Sequence, residues 1–155
     1  MNSARPAHAH DFGELIVYQK SRVLAQRIFE LSRTFPREET YSLTDQVRRS
    51  SRSVGAQIAE AWAKRPYERN FLSKLADANG ELFETQHWID VAADCLYITA
   101  ETRSQLHDQC REVGRLIGGM VAKADLFCQP DRMHVKEAGA EYSVDSGDFN
   151  SEDPG

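Results

Sequence analysis

Six basic residues lie in the second predicted helix and at the corner that follows it. In chain order they are Arg48, Arg49, Arg52, Lys64, Arg65 and Arg69. The first three form what we call the first basic cluster, and the last three form the second basic cluster. Residues three and four positions apart share a face of a helix, and arginine binds phosphate through two parallel hydrogen bonds while it stays charged. The spacing therefore predicts sequence-independent binding of RNA or DNA, with these six residues as candidates.

An alternative interpretation is that these bases pair with acids. Residues 43–69 hold six basic and three acidic residues, whereas residues 70–101 hold one basic and six acidic residues. Helices of opposite charge can form ion pairs within a subunit or between subunits, and most charged faces are solvated or paired. The two clusters are also about 24 Å apart along a helix, too far to form one continuous patch on a monomer, whereas a ring could bring copies of each together. The alternative is thus a purely structural or protein-interaction oligomer whose bases pair across subunit interfaces.

Acidic residues of the second and third predicted helices suggest two other roles. Glu84 and His87 form a Glu-x-x-His step, and a di-iron site in a bundle needs two such steps and two further glutamates. The sequence has one step, so we predict no metal site. Glu60 and Glu84 are instead candidates, together with Gln57, for a polar network that joins helices or subunits.

The cysteines do not indicate a catalytic or metal site. Cys95, Cys110 and Cys128 are an odd number, lie far apart and include no Cys-x-x-Cys pair, so we expect reduced thiols rather than disulfides or zinc ligands. No glycine-rich phosphate loop follows a predicted strand. We therefore predict a non-enzymatic protein with no catalytic residues, no cofactor and no small-molecule substrate.

The net charge of −5 lies entirely in the last part of the chain. Residues 129–155 hold seven acids and two bases, whereas residues 1–128 hold 17 residues of each sign. We expect residues 128–155 to form a disordered acidic tail, because they hold few large apolar side chains to bury. Such a tethered polyanion would compete with nucleic acid for the basic surface, so its removal should tighten binding.

The expected subcellular location follows from the lack of long apolar stretches in the sequence. No stretch approaches the roughly 18 uncharged apolar residues of a membrane helix. The first ten residues lack the apolar core of a signal peptide. We therefore expect a soluble, cytoplasmic protein that has no membrane partner.

Apolar residues recur three and four positions apart in four stretches, which is the spacing of helices. The first stretch runs from about residue 12 to residue 34 and ends before Pro36, which cannot continue a helix. The second opens at Ser42 or Thr44, where Ser42 and Asp45 resemble a capping box. Its middle is rich in serine, alanine and glycine, which predicts a close approach to a neighbouring helix.

The third stretch follows a break before Pro66, which we place in its first turn, and its apolar stripe continues to Leu96. Thr99 is the predicted N-cap of the fourth stretch. Four long helices with short connections predict an all-α fold, an up-down-up-down antiparallel four-helix bundle. Its expected bounds are residues 12–127, between a flexible N-terminal arm at residues 1–11 and the acidic tail.

Several stretches resemble a bacterial family of four-helix bundles that is named for open reading frames inside 23S rRNA intervening sequences. They are residues 12–20 (FGELIVYQK), 35–36 (FP), 41–61 (YSLTDQVRRSSRSVGAQIAEA), 71–75 (FLSKL), 84–89 (ETQHWI) and 97–98 (YI). The block at residues 41–61 is the most specific of them, and the resemblance covers about residues 12–126. The chain departs from the family where Gln57 to Ala61 replaces the usual Asn-Ile-Ala-Glu-Gly, and in its acidic tail.

The resemblance implies an oligomer without catalytic activity. Members of this family are expected to assemble as a ring, a homopentamer, and to have a connection to RNA or DNA. A related accessory protein of diversity-generating retroelements is similar in fold and binds nucleic acid through a basic surface. For this chain the resemblance implies a homopentameric bundle with nucleic acid as a partner.

Overall fold

Five helices form the part of the chain that the computed structural model describes, residues 9–128. They are α1 (Ile16–Ser32), α2 (Leu43–Ala63), α3 (Glu68–Asp94), α4 (Ala100–Ala122) and the short α5 (Ala124–Cys128). Two 3-10 turns, Phe12–Glu14 and Arg37–Glu39, precede α1 and α2. No strand occurs within residues 9–128, and the predicted all-α class is confirmed.

The four long helices pack around one core. Each contacts the next along the chain, and α4 packs back against α1. The core consists of side chains that recur at three- and four-residue steps, because residues at that spacing share one helix face. Its most deeply buried large members are Leu24, Val54, Ile58, Phe71, Leu75, Leu82, Ile89, Leu106 and Val113. The predicted up-down-up-down four-helix bundle is therefore confirmed.

Small side chains bring α2 close to both of its neighbours. Ser50 and Thr85 are fully buried, and the Thr85 hydroxyl donates to Ser50 Oγ at 3.0 Å between α3 and α2. On the other side of α2, a Cβ added at Gly55 would lie 3.2 Å from Ser21 Oγ of α1. The predicted close approach is confirmed, and it fixes α2 between α1 and α3.

The start of α4 confirms one prediction, and the start of α3 corrects another. Thr99 caps α4, because its Oγ1 accepts the backbone N–H of Thr102 at 3.1 Å. The third helix begins later than predicted: Tyr67 is its N-cap and Glu68 its first residue. Pro66 therefore lies in the corner before α3, and not in the first turn of the helix.

The predicted capping box at the start of α2 is wrong. Ser42 occupies the N-cap position, but its side chain makes no cap bond to the helix. Glu39 supplies the cap instead: its Oε2 accepts the backbone N–H of Leu43 at 3.2 Å and the Ser42 hydroxyl at 2.6 Å. A carboxylate is favourable here because the N-terminus of a helix carries a partial positive charge.

The end of α3 corrects the prediction for Leu96. The helix ends at Asp94, and Leu96 has a φ of 62° and a side chain that is 88% exposed. The backbone N–H of Tyr97 donates to Ala92 O at 2.9 Å, and that of Leu96 donates to Ala93 O at 3.0 Å. These two bonds form a Schellman motif, which requires a left-handed residue just after the helix. The motif turns Leu96 away from the core.

The predicted arm and tail lie largely outside the described residues. Of the arm at residues 1–11, only residues 9–11 are described, and Ala9 packs against the core. Of the acidic tail at residues 128–155, only Cys128 is described, as the last residue of α5. Within residues 9–128, no helix is both long enough and apolar enough to cross a membrane.

Candidate nucleic-acid interface

Two arginines of the first basic cluster are held against α1. Arg48 Nε donates to Ser32 Oγ at 2.7 Å. The guanidinium carbons of Arg48 and Arg52 lie 4.8 Å and 5.3 Å from the centre of the Phe29 ring. Cations at this distance over an aromatic face are attracted to it. Neither Arg48 nor Arg52 forms an ion pair with an acid of residues 9–128, so both charges are available to an anion.

The third arginine of the first basic cluster turns the other way, toward α3. Arg49 Nη2 donates to Glu84 Oε1 at 2.9 Å and to Gln46 Oε1 at 3.3 Å. Glu84 Oε1 also accepts the indole N–H of Trp88 at 3.2 Å. The side chain of Arg49 is 51% exposed. Because a guanidinium carries five N–H donors, the ion pair fixes Arg49 and leaves donors for a further partner.

All three arginines of the first basic cluster line one depression on the outer face of α2. Its volume is about 580 Å³, and its rim also includes Tyr41, Thr44 and Asp45. Asp45 is the single acid among the lining residues of this depression. The spacing predicts that the three arginines lie on one side of the helix, and the structure does bring them to a common surface.

A second, narrower depression between α1 and α2 shares Arg52 with the first. It has a volume of about 190 Å³, and no acid is among its lining residues. Arg22 of α1 lies on its opposite wall from Arg52, with Ser21, Ser51 and Gly55 between the helices. We call the two depressions together the arginine groove. Arg48, Arg49 and Arg52 therefore line the first depression, Arg22 lines the second, and Arg52 is common to both.

Arg22 and Tyr41 were not predicted as site residues. Arg22 follows the buried Ser21 in α1, but a single helix pattern cannot show which neighbouring helix a flanking residue approaches. The one available signal was the close approach of α2 to a neighbouring helix, which the small residues predicted without showing that the neighbour is α1. That contact brings Arg22 next to Arg52.

The second basic cluster has a different setting. Lys64 and Arg69 are exposed, and neither forms an ion pair with an acid of the described chain. Arg65 Nε donates to Trp62 O at 2.9 Å, and its guanidinium carbon lies 3.5 Å from the centre of the Trp62 ring. One residue of this cluster is thus held by a neighbour, and two extend into solvent.

Within one subunit, Gln57, Glu60 and Glu84 are not joined in a single polar network, and their role between subunits stays a prediction. Glu60 Oε2 pairs with Lys74 Nζ at 2.8 Å, and this bond holds the pKa of Glu60 below its usual value. Glu84 pairs with Arg49 instead. Gln57 Oε1 is buried without a hydrogen-bond partner. This separation has a geometric cause: α2 and α3 run antiparallel, so each acid pairs with a different base along the contact between them.

Glu81 lies in the same seam between α2 and α3. Its Oε2 is buried and has no hydrogen-bond partner. Burial raises the pKa of Glu81, and the charge of Glu84 raises it further, whereas Arg49 acts in the opposite direction. Ionisation of Glu81 is therefore less favourable in the folded protein than in the unfolded chain.

Glu84 and His87 do not meet as metal ligands. Glu84 is bonded to Arg49 and Trp88, and the exposed His87 ring stands 4.7 Å from the Trp88 ring, centre to centre. No group of three or more His, Cys, Asp or Glu side chains within residues 9–128 is arranged to hold a metal ion. Burial raises the pKa of Cys110 to about 12, so this thiol stays protonated at neutral pH.

Comparisons with known proteins give one family. A family model described as 23S rRNA-intervening sequence protein matches residues 13–119. The chain is also similar to the crystal structure of a protein of unknown function from the S23 ribosomal protein family of Bacteroides thetaiotaomicron, with 29% identity and a TM-score of 0.63. That match covers 69% of this chain and 96% of the other. None of the curated proteins compared with the chain matches it.

Proposed function

The chain belongs to the 23S rRNA-intervening sequence protein family, and on that premise we propose that it is a non-enzymatic, cytoplasmic protein that binds RNA or DNA as a homo-oligomer. The first basic cluster and Arg22 bind the phosphates, and the second basic cluster contributes where subunits bring it near. The oligomer is the homopentameric ring that the family resemblance implies.

The arginine groove is the observation that carries this proposal. Arg48 and Arg52 are held over the Phe29 ring without an acid partner, and Arg22 faces Arg52 across the narrower depression. Side chains that are already ordered lose less conformational freedom when they bind. Guanidinium groups in fixed positions suit phosphate oxygens, which are the same in every sequence. Binding is therefore expected to be independent of sequence.

A ring would strengthen such binding. Each groove alone can bind few phosphates, but subunits of one oligomer present the groove repeatedly along a bound strand. The second groove then engages the strand at a high effective concentration, so the overall affinity exceeds that of one subunit. This is the reason that we couple nucleic-acid binding to assembly.

The ion pairs between α2 and α3 support the alternative function. Arg49–Glu84 and Lys74–Glu60 both join the two helices within one subunit. If the remaining bases form similar pairs across subunit interfaces, the protein is a structural or protein-interaction oligomer. The experiment described next distinguishes the two functions.

The experiment measures binding of labelled RNA and labelled duplex DNA to the full chain at several salt concentrations, with light scattering on the same samples. The first variant carries Arg48→Gln, Arg49→Gln and Arg52→Gln. It should bind at least about tenfold more weakly, and the log–log salt slope on duplex DNA should shrink by about 0.9 for each phosphate that is no longer neutralised. Glutamine keeps some of the arginine stem over Phe29, which limits the loss of packing.

The matched control carries Lys64→Gln, Arg65→Gln and Arg69→Gln, which removes the same charge from the second basic cluster. Its affinity should fall less than that of the first variant. The nucleic-acid function is rejected if the native protein binds neither probe at low salt. If, in addition, the first variant dissociates into smaller species, the structural oligomer is the correct function.

A further inference from the structure

Tyr41 stands at the rim of the arginine groove with almost its whole side chain in solvent. It is 93% exposed, the most exposed of the large apolar and aromatic side chains in residues 9–128. It lines the same depression as Arg48, Arg49 and Arg52. An aromatic ring gains nothing for folding in such a position, since folding stabilisation comes from rings that leave water.

The backbone on both sides of Tyr41 is held by hydrogen bonds. The Thr40 hydroxyl donates to Arg37 O at 2.6 Å, and Ser42 N–H donates to Glu39 O at 3.1 Å. The Glu39 carboxylate caps α2 through Oε2 and accepts the Tyr97 hydroxyl on Oε1 at 3.1 Å. Tyr41 is therefore presented on a fixed turn, which lowers the entropy that the backbone of this segment would lose on binding a ligand.

We propose that the arginine groove binds single-stranded nucleic acid, with one base stacked on Tyr41 and the following phosphates bound by Arg49, Arg52 and Arg22. The inference rests on the proposed function and goes further, because it names the form of nucleic acid. An exposed ring beside a row of positive charges is the arrangement that proteins use for single strands. The bases of a duplex are already stacked on each other and do not offer a free face.

The helix geometry gives the length of this surface. Thr44 in the first turn of α2 lies beside Tyr41 at the rim, and eight residues separate it from Arg52, which corresponds to about 12 Å. Arg22 extends the surface beyond Arg52 into the narrower depression. The groove therefore holds a short run of nucleotides, and longer strands must pass from one subunit to the next.

The test compares oligo(U), oligo(dT) and a duplex of the same length as labelled probes for the full chain. Tyr41→Ala should weaken binding of the single strands by about 5- to 150-fold, the range expected for loss of one stacked base. The affinity of the Tyr41→Ala variant for the duplex should differ from that of the native chain by less than about twofold, because no base of a duplex stacks on Tyr41. Tyr41→Phe keeps the ring and should bind as the native chain does. Phe83→Ala is the control, because Phe83 is also an exposed ring, at 60%, but lies on the acidic α3.

The outcomes separate this inference from the proposed function. If the native chain binds no probe, both are rejected. If the native chain binds and Tyr41→Ala binds single strands equally well, only the stacking inference is rejected. If Tyr41→Ala changes the oligomer mass in the absence of nucleic acid, Tyr41 serves a contact between copies of the chain, and the inference is overturned.

Discussion

The two basic clusters contain three residues each, but the bundle supports them differently. In the first, Arg48 and Arg52 lie over Phe29 of α1, and Arg49 is bonded to Glu84 of α3. The second lies at the corner between α2 and α3, where the ring and carbonyl of Trp62 hold Arg65 and Lys64 and Arg69 are exposed. The two clusters are similar in composition, but the side chains of the first are held more firmly by their neighbours.

A basic pattern becomes a binding surface when neighbouring helices hold its side chains. A free arginine or lysine side chain loses roughly 2 kcal/mol of rotamer entropy when it is fixed by a ligand. The first basic cluster has lost part of that freedom on folding, whereas Lys64 and Arg69 have not. For equal charge, we therefore expect the first basic cluster to contribute more to binding.

The largest effect should come from removing the ring that orders the first basic cluster. Phe29→Leu should lower nucleic-acid affinity by about three- to tenfold, since two arginines must then be ordered by the ligand. It should also lower the free energy of unfolding by about 1 kcal/mol, because the two guanidinium groups no longer lie over an aromatic face. Fluorescence anisotropy and urea denaturation measure the two quantities.

Trp62→Leu is the matched change in the second basic cluster, because it removes the ring beneath Arg65. It should destabilise the bundle and leave the affinity within about twofold of the native value. Equal reductions of affinity in the two variants would contradict the expectation that the ordered side chains of the first basic cluster contribute more to binding than those of the second.

A smaller effect should follow from releasing Arg49. Glu84→Gln removes the negative charge that pairs with Arg49 but keeps an oxygen for the Trp88 indole. Because an exposed ion pair contributes about 0.2–1 kcal/mol, affinity for nucleic acid should rise by up to about fivefold. Glu60→Gln frees Lys74 at a distance from the groove and should leave the affinity unchanged. A fall in affinity for Glu84→Gln would mean that the Arg49–Glu84 pair holds Arg49 in its binding position.

The smallest effect is on the pH dependence of folding stability. It should have opposite signs for Glu81 and Glu60, two acids that lie near the basic clusters. The pKa of Glu81 is raised by burial, so its ionised form destabilises the folded state as pH rises above about 4.3, the value of a free glutamate. Glu81→Gln should raise the melting temperature at pH 7, and the gain should vanish below about pH 4.

Glu60 should show the opposite sign. Its pKa is lowered by the hydrogen bond and charge of Lys74, so its contribution is present above the pKa of a free glutamate and is lost as pH falls through the folded value. Glu60→Gln should therefore lower the melting temperature at pH 7. Thermal melts of both variants from pH 3 to pH 7 check the two signs. A higher melting temperature for Glu60→Gln at pH 7 would contradict a stabilising Glu60–Lys74 pair.

The fold could be predicted from the sequence because each helix repeats its apolar residues at one period. The stripe from Phe71 to Ala92 is buried as predicted, since its spacing is a local property of the chain. Leu96 continues that spacing, yet the helix has ended before it. The sequence has no glycine at this position to mark the left-handed turn, so the apolar spacing predicted a helix that continues to Leu96.

The candidate site could be predicted only in part. The charges of Arg48, Arg49 and Arg52 are visible in the sequence, and their common depression follows from their spacing. Arg22 and Phe29 belong to another helix, and the side of α1 that meets α2 depends on the packing of the whole bundle. Glu39 was missed as the cap of α2 for a similar reason, because it lies in a 3-10 turn before the helix and not at a capping-box position.

The salt dependence of binding for one arginine from each cluster decides whether the arginine groove is the phosphate-binding surface. Arg52 lines both depressions of the arginine groove, whereas Arg69 is an exposed member of the second basic cluster. Arg52→Gln should weaken binding of duplex DNA and reduce the magnitude of the log–log salt slope by about 1, as expected when one phosphate is no longer bound. Arg69→Gln should leave the slope within error of the native value. An unchanged slope for Arg52→Gln, or a larger change for Arg69→Gln, would show that the groove is not that surface.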